Sequence, residues 1–408
     1  HARRVLVAAG SGNNGGDGYA VARLLAASGR DVRIVRVASR PAEGDAATTL
    51  ADAVAAGVPV LEGPLGPLLE DADLVVDALL GTGSTGAPEG AVADAIAAIR
   101  DAGIPVVALD VPSGVDASTG ETPGVAIHAD ATVAFHADKL GLRIEPGRTL
   151  AGQIVVAPIG IPEGAPVTPA AIGVTSAYDL LPRRRIGGSK YDAGAVLVIG
   201  GSKYDAGAVL VIGGSVGMAG APALSAAAAL RAGAGVVTVL VPEAVQPTVA
   251  AWQRETMVRP LPSARPDLEI DRYAERAAAV VLGPGLGRDP EAEAIVQAAL
   301  ALDRPLVVDA DALWWVARDP AAIRARTAPT VITPHAGEAA RLLGRDGDDQ
   351  RLRAVRDLVE HTGATTLLKG RDTLVLAPDG RLGVRLLDSA ALATAGSGHV
   401  LSGLIGAC

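Results

Sequence analysis

The stretch Val5-Leu6-Val7-Ala8-Ala9-Gly10-Ser11-Gly12-Asn13-Asn14-Gly15-Gly16-Asp17-Gly18 decides the fold class of this chain. An apolar run enters a segment, Gly10 to Gly18, without a single apolar side chain. Tyr19-Ala20-Val21-Ala22-Arg23-Leu24-Leu25 then follows with the spacing of an amphipathic helix. Strand, glycine-rich turn and helix in that order let backbone N–H groups and a helix N-terminus cradle a phosphate. Glycine allows the backbone to come close to an anion and to adopt positive φ in a turn. Asn13 and Asn14 add neutral donors and acceptors. Asp17 adds a negative charge that plain anion binding does not need, so a hydroxyl, a ring nitrogen or a cation is expected at the same place. A tight turn without a ligand is the alternative, but it needs fewer residues than this.

Outward from that stretch, strand-like and helix-like segments alternate. Residues 31–37 alternate with period two, and 44–56 read as a helix. Residues 74–80 read as a buried strand with Asp77 near its end, followed by Gly81-Thr82-Gly83-Ser84-Thr85-Gly86-Ala87. A helix over 91–102 leads to a strand over 105–109, which ends in Asp110-Val111-Pro112-Ser113-Gly114. Strands over 131–135, leading to Lys139, and 152–157 complete the half. Such alternation implies a mostly parallel sheet with helices on both faces. Ligands then bind at the carboxyl ends of strands. Asn13, Asn14, Asp17, Asp77, Asp110 and Ser113 are expected to converge there, the alternative being that the acids cap helices. Their amide, carboxylate and hydroxyl oxygens together suit a hard monovalent cation.

Prolines 162, 166, 169 and 182 and the run Arg183-Arg184-Arg185 mark a boundary, giving domains over 1–162 and 187–408 with a linker over 163–186. Residues 187–199 are then repeated identically at 200–212. The second copy, next to Gly213-Gly214-Ser215, is expected to supply the real first strand, Ala208 to Ile212. The first copy is expected to be a loop or an extra edge strand. The second half alternates again. A small-residue helix covers 219–232, and strands end in Gly283-Pro284-Gly285-Leu286-Gly287, Asp309-Ala310-Asp311, Thr333-Pro334-His335-Ala336-Gly337-Glu338 and Lys369-Gly370-Arg371-Asp372-Thr373. A hairpin closes at Pro378-Asp379-Gly380, and Ala395-Gly396-Ser397-Gly398-His399 opens a last helix. That helix start and the Lys369 to Thr373 segment suit nucleotide phosphate or ribose. Asp309 and Asp311 either hold Mg2+ through water or cap a helix. His335 is either a substrate contact or a satisfied structural histidine, and Trp314-Trp315 reads as core.

The chain has 408 residues, 49% of them apolar, enough for two or three domains with sizeable cores. Phe135 is its one phenylalanine, so those cores are built from Val, Leu, Ile and Ala. A net charge of −9 and scattered arginines argue against a nucleic-acid surface. Only four of the 36 basic residues are lysines, which draws attention to Lys139 and Lys369. The single cysteine, Cys408, excludes a disulfide framework and fits a reducing, cytoplasmic compartment. No apolar run reaches the ~18 residues of a membrane span. Because the chain starts at His1 and stops at Cys408 within a helical pattern, a fragment truncated at both ends is expected.

Gly12 to Gly18, Asp77 to Gly83 and Asp110 to Gly114 resemble the NAD(P)H-hydrate epimerase domain. Gly213-Gly214-Ser215 with Met218 to Pro222, then Gly283 to Gly287, Thr333 to Glu338, Lys369-Gly370 and Ala395 to Gly398, resemble the ADP/ATP-dependent NAD(P)H-hydrate dehydratase. In tandem they are similar to the bifunctional NAD(P)H-hydrate repair enzymes, over nearly the whole chain. The resemblance implies an N-terminal Rossmann-like three-layer α/β domain followed by a ribokinase-like α/β domain. It implies epimerisation of the R and S hydrates, NADHX and NADPHX, and dehydration of the S form with ADP or ATP and Mg2+. It also implies that Asn13, Asn14, Gly15, Gly16, Asp17 and the Gly81–Ala87 loop hold the hydrate, with Asp110 in contact and catalytic, Lys139 assisting, and Asn14, Asp77 and Ser113 binding K+. In the second half it implies that Ala221, Gly285, Gly287 and His335 contact the hydrate, and that Lys369, Gly370, Arg371, Asp372, Thr373 and Gly398 contact the nucleotide. The chain departs from the family where a catalytic aspartate is expected after Gly398: His399 stands there. The family domain also continues with further helices. Weak or no dehydratase activity is the expectation, along with a homo-oligomeric state. The alternatives are a non-catalytic nucleotide-binding protein and a ribokinase-type small-molecule kinase.

Overall fold

The computed structural model describes residues 2–37, 40–161, 207–252, 254–345, 350–385 and 392–408. The linker expected over 163–186 and the first repeat copy, 187–199, lie outside them. The chain divides into two compact units, each with its own sheet.

The first sheet has seven parallel strands: β1 Arg4–Ala9, β2 Asp31–Arg36, β3 Val60–Glu62, β4 Leu74–Ala78, β5 Val106–Leu109, β6 Ala131–Phe135 and β7 Gln153–Ala157. Their order is β3-β2-β1-β4-β5-β6-β7. Both faces are apolar, as a parallel sheet requires. Leu6, Ala8, Val75 and Val106 pack against Ile96 and Ile99 of the Gly90–Ala102 helix. Val5, Val7, Ile34 and Val76 pack against Tyr19 and Ala22 of the Asn13–Ala27 helix. Between β1 and β4 the strand order reverses, and there a crevice opens at the carboxyl ends.

The first helix starts at Asn13, so Asn13 to Gly18 form its opening turns rather than the loop read from the sequence. Tertiary packing overrides the poor helix propensity of the glycines. A Cβ on Gly15 would lie 2.1 Å from the Gly10 carbonyl oxygen, and one on Gly18 would lie 2.6 Å from Ala78 Cβ. Only bare backbone lets the helix sit this close to β1 and β4.

The second sheet has nine strands: β8 Ala208–Ile212, β9 Val236–Pro242, β10 Met257–Leu261, β11 Ala279–Leu282, β12 Leu306–Val308, β13 Thr330–Ile332, β14 Thr365–Leu368, β15 Leu374–Leu376 and β16 Leu382–Val384. The order is β10-β9-β8-β11-β12-β13-β14-β15-β16. The first seven strands run parallel, in the same winding as the first sheet, and the β15–β16 hairpin is antiparallel. The second repeat copy does supply β8, every residue of which is buried. β10 went unread because Pro260 interrupts it; the structure puts it at the sheet edge, where a missing N–H is tolerated. The Ser397–Ala407 helix lies against the Gly220–Ala232 helix so closely that a Cβ on Gly403 would stand 2.0 Å from the Ser225 carbonyl oxygen. Ser225 Oγ donates to the His399 carbonyl at 2.8 Å, which fixes the helix start.

Candidate functional site

The first site lies at the β1–β4 reversal. Asn14 Nδ2 donates to the carbonyls of Leu80 at 2.8 Å and Leu109 at 3.3 Å. That orients Asn14 Oδ1, which is buried without a hydrogen-bond partner. Asp77 is fully buried. It accepts from Ser113 Oγ at 2.6 Å, Ser113 N at 2.8 Å and Leu79 N at 3.2 Å. Burial outweighs these bonds and pushes its carboxyl up to about 6. Ser113 Oγ also accepts from Leu80 N at 2.9 Å.

Asp110 sits beside this group with φ 67°, a left-handed conformation that is unfavourable for a residue with a Cβ. Several contacts hold it. Thr82 N donates to Oδ2 at 3.2 Å, Phe135 N donates to Oδ1 at 3.4 Å, and Lys139 Nζ lies 2.5 Å from Oδ1. Lys139 is itself anchored on the Phe135 carbonyl at 2.6 Å. Burial pushes the Asp110 carboxyl up, but the Lys139 ammonium and the two N–H groups together hold it below the usual carboxylate range. Asp17 is shifted the other way, by partial burial and then by the negative charge of Asp110. The 81–87 loop closes over this group: a Cβ on Gly81 would lie 3.1 Å from Asn14 Cβ and 3.5 Å from Asp110 Oδ2. Leu80, Gly81, Ser84, Gly86, Val111 and Gly114 line an adjoining recess.

The second site lies at the matching reversal between β8 and β11. Gly214 N donates to the Pro284 carbonyl at 2.9 Å, and Ser215 Oγ donates to the Gly285 carbonyl at 2.9 Å. Gly285 has φ 64°, and a Cβ there would lie 2.9 Å from Ala221 Cβ. Ala221 and Gly285 are thereby brought together, and a Cβ on Gly287 would lie 3.4 Å from Ser215 Oγ. Gly287 N donates to Asp311 Oδ2 at 3.1 Å, and Trp315 Nε1 donates to the Gly287 carbonyl at 3.3 Å. Trp315 is core, as expected, whereas Trp314 is half-buried under Arg318, 4.6 Å from the ring centre.

Asp309 is buried at the end of β12 and accepts from Thr333 Oγ1 at 2.7 Å and Lys369 Nζ at 2.9 Å. Burial would raise its carboxyl, but His399, Lys369 and Thr333 bring it down to about 2. Neither Asp309 nor Asp311 caps a helix with its side chain: Asp309 Oδ1 accepts from Lys369 and Thr333, and Asp311 accepts from Gly287 N–H and lies 3.4 Å from Arg288. Ala310 between them has φ 51°, so both sites carry a left-handed non-glycine just past their fifth strand. Lys369 also lies 3.7 Å from Glu338 Oε2, and its Nζ lies 3.5 Å from where a Gly398 Cβ would be. Thr373 Oγ1 donates to the Gly370 carbonyl at 3.1 Å, which folds the segment carrying Arg371 and the buried Asp372. His335 caps the Ala336–Leu343 helix. Its Nδ1 accepts from Gly337 N at 3.0 Å and Glu338 N at 3.3 Å, and Glu338 Oε2 accepts from His335 N at 2.8 Å. Its side chain remains 60% exposed.

Residues 1–141 match the family model described as YjeF-related protein N-terminus, and residues 209–408 match NAD(P)H-hydrate dehydratase. The chain is 40% identical to the bifunctional NAD(P)H-hydrate repair enzyme Nnr of Moorella thermoacetica, covering 99% of this chain and 78% of that one. The chain belongs to the bifunctional NAD(P)H-hydrate repair enzyme family. It is 37% identical to the Escherichia coli member over 100% of this chain and 76% of that one. A ribokinase-like superfamily protein from Enterococcus faecalis is a structural relative at 24% identity and TM-score 0.49, covering 60% of this chain and 81% of that one. In this member of the repair-enzyme family, Asn14, Asp77, Asp110, Ser113 and Lys139 come together, as do Ala221 with Gly285 and Lys369 with Gly398 and His399. The sequence reading missed the Phe135 backbone, Thr333 and Glu338 as partners of these groups. The signal for them was present only as residues closing a strand or opening a helix. Among the described residues no three His, Cys, Asp or Glu side chains cluster to hold a metal ion, and no helix is long and apolar enough to cross a membrane.

Proposed function

We propose that the first unit epimerises the R and S hydrates of NADH and NADPH, and that the second dehydrates the S hydrate at the expense of ADP or ATP with Mg2+. The observation that supports the first activity is the Asp110–Lys139 pair at 2.5 Å beside the Asn14, Asp77 and Ser113 oxygens, at the mouth of the β1–β4 crevice. Asp110 is held ionised at neutral pH and so accepts and returns a proton at the hydrate. Asp17, shifted upward, is the more readily protonated of the two acids, and such divergence suits paired acid and base roles. Asn13 to Asp17 and the Gly81–Ala87 loop hold the ring and pyrophosphate.

The donor set fits K+. Asn14 Oδ1 is oriented, buried and unpartnered, and the buried Asp77 carboxylate with the Ser113 hydroxyl completes a group of oxygens. Asn14, Asp77 and Ser113 would hold the cation, which supplies positive charge beside the substrate's phosphates. In the second unit Ala221, Gly285, Gly287 and the exposed edge of His335 receive the hydrate. Lys369, Gly370, Arg371, Asp372, Thr373 and Gly398 receive the nucleotide at a helix start.

The deciding experiment supplies mixed R and S hydrates of NADH, with and without ADP, and follows both epimers and the return of NADH absorbance. Epimer exchange without ADP, abolished in Asp110→Ala and Asp17→Ala, is the expected result. Normal exchange in both variants would remove the assignment.

A further inference from the structure

Where the family resemblance calls for an aspartate after Gly398, this chain carries His399, and the surroundings of that imidazole give it a different means of accepting a proton. His399 is the third residue of the Ser397–Ala407 helix. Its Nδ1 is buried without a hydrogen-bond partner, and so is Asp309 Oδ2. These two atoms face each other at 3.7 Å. The imidazole as a whole keeps 27% of its surface in solvent, whereas Asp309 is 1% exposed. Asp309 Oδ1 is occupied by Thr333 Oγ1 and Lys369 Nζ, so Oδ2 is the oxygen left to meet the imidazole. Among the described residues, Lys369 and Glu338 bring charge to this pair. Lys369 comes from the end of β14, and Glu338 on the Ala336–Leu343 helix lies 3.7 Å from Lys369. The Gly220–Ala232 helix contributes Ser225, which holds the His399 carbonyl.

Two buried polar atoms facing each other just beyond hydrogen-bond length have an evident complement: a proton on Nδ1. A carboxylate opposite Nδ1 selects the tautomer with the proton there and leaves the Nε2 lone pair free to accept. Hydrogen bonds of this kind are long in the absence of substrate and tighten when it binds. We propose that Asp309 and His399 act as a dyad in place of the missing aspartate, with His399 Nε2 as the general base and Asp309 as its positioning residue. The proposal rests on the dehydratase reading given above. In the step it serves, the hydrate's hydroxyl oxygen attacks the terminal phosphoryl group of the nucleotide as Nε2 takes the hydroxyl proton. The nucleotide leaves with the electron pair of the broken P–O bond. The phosphorylated carbon then loses phosphate, which takes the C–O bond pair while the ring nitrogen lone pair forms a C=N bond. The released phosphate takes a neighbouring C–H proton, and that C–H bond pair restores the C=C bond of the nicotinamide ring.

The test uses the full chain, with its six histidines, and nitrogen-15 spectroscopy of the imidazoles, His399 being assigned with His399→Gln. The expected result is an Nδ1–H tautomer for His399 in the wild type and its loss in Asp309→Asn. Alongside this, ADP-dependent NADH recovery should fall by about 10²–10⁴-fold in Asp309→Asn, with a rising pH limb in the wild type that matches the His399 titration. An Nε2–H tautomer in the wild type would overturn the dyad, as would a pH profile that Asp309→Asn leaves unchanged. His399→Asp separates the two readings. Activity in that variant with none in the wild type would overturn the dyad and leave the dehydratase reading standing. No recovery in either protein, with ADP bound, would overturn both.

Discussion

Asp77 shows what a single residue decides. Its carboxyl titrates near 6 because it is fully buried, so in the folded state it holds a proton that the unfolded chain gives up near pH 4. The stability it contributes is therefore complete below about pH 4 and is lost as the pH rises through 6, to a limit of about 3 kcal/mol. Asp77→Asn has no such charge to bury. In potassium-free buffer, urea denaturation at pH 4.5 and 7.5 should show the wild type losing about 1–3 kcal/mol relative to Asp77→Asn, and added K+ should shrink that loss. A difference between the two proteins that ignores pH would remove the ionised carboxylate from the account. His335 is a second case. The sequence left it between substrate contact and structural histidine, and the structure makes it a helix cap with an exposed edge. His335→Ala should cost about 1 kcal/mol of stability, and His335→Asn, an equally good cap, should recover it. Both should raise KM for the hydrate if that edge meets substrate. Asp309 was legible only as a strand-end acid. Its partners Thr333, Lys369 and His399 lie 24, 60 and 90 positions away in the chain, and only folding brings them to it.

At the scale of elements, the strands were legible because buried parallel strands read as short runs of Val, Leu, Ile and Ala. β8 falls where the sequence put it, and β11, β12, β13 and β14 run into the turns read at Gly283, Asp309, Thr333 and Lys369. The first helix was misplaced by six residues because its opening turns are Asn, Gly and Asp, which argue locally for a loop. What makes them helical is the closeness of β1 and β4, a fact about neighbours in space. The last helix follows the same rule. It has no side-chain cap and has glycines at 398, 403 and 406, so its stability comes from packing on the Gly220–Ala232 helix. Gly403→Ala would drive a Cβ into the Ser225 carbonyl, with a cost of about 1–3 kcal/mol in chemical denaturation. Because the same contact positions Gly398 and His399, ADP-dependent recovery should fall several-fold while epimer exchange persists. Unchanged recovery would show that the helix start tolerates the shift.

At the scale of the whole molecule, two units with the same strand winding each place their chemistry at the reversal of strand order. The two proposed activities are separable there. Lys369→Ala should abolish ADP-dependent recovery and leave epimer exchange intact. Asp110→Asn should do the reverse: with mixed hydrates, recovery of NADH should stop at the S fraction, whereas the wild type runs to completion. Recovery of both epimers in Asp110→Asn would place epimerisation elsewhere. The sequence by itself determined the two α/β halves, the strand-end acids and glycine turns, and the family, because apolar periodicity and short motifs are local properties of the chain. Tertiary structure alone decided that the Gly10 to Gly18 segment opens as a helix against β1 and β4. It also decided that Lys139 grips Asp110 while burial raises the Asp77 carboxyl, and that Asp309 faces His399. Those outcomes depend on distance and burial between residues far apart in sequence, which no local pattern encodes.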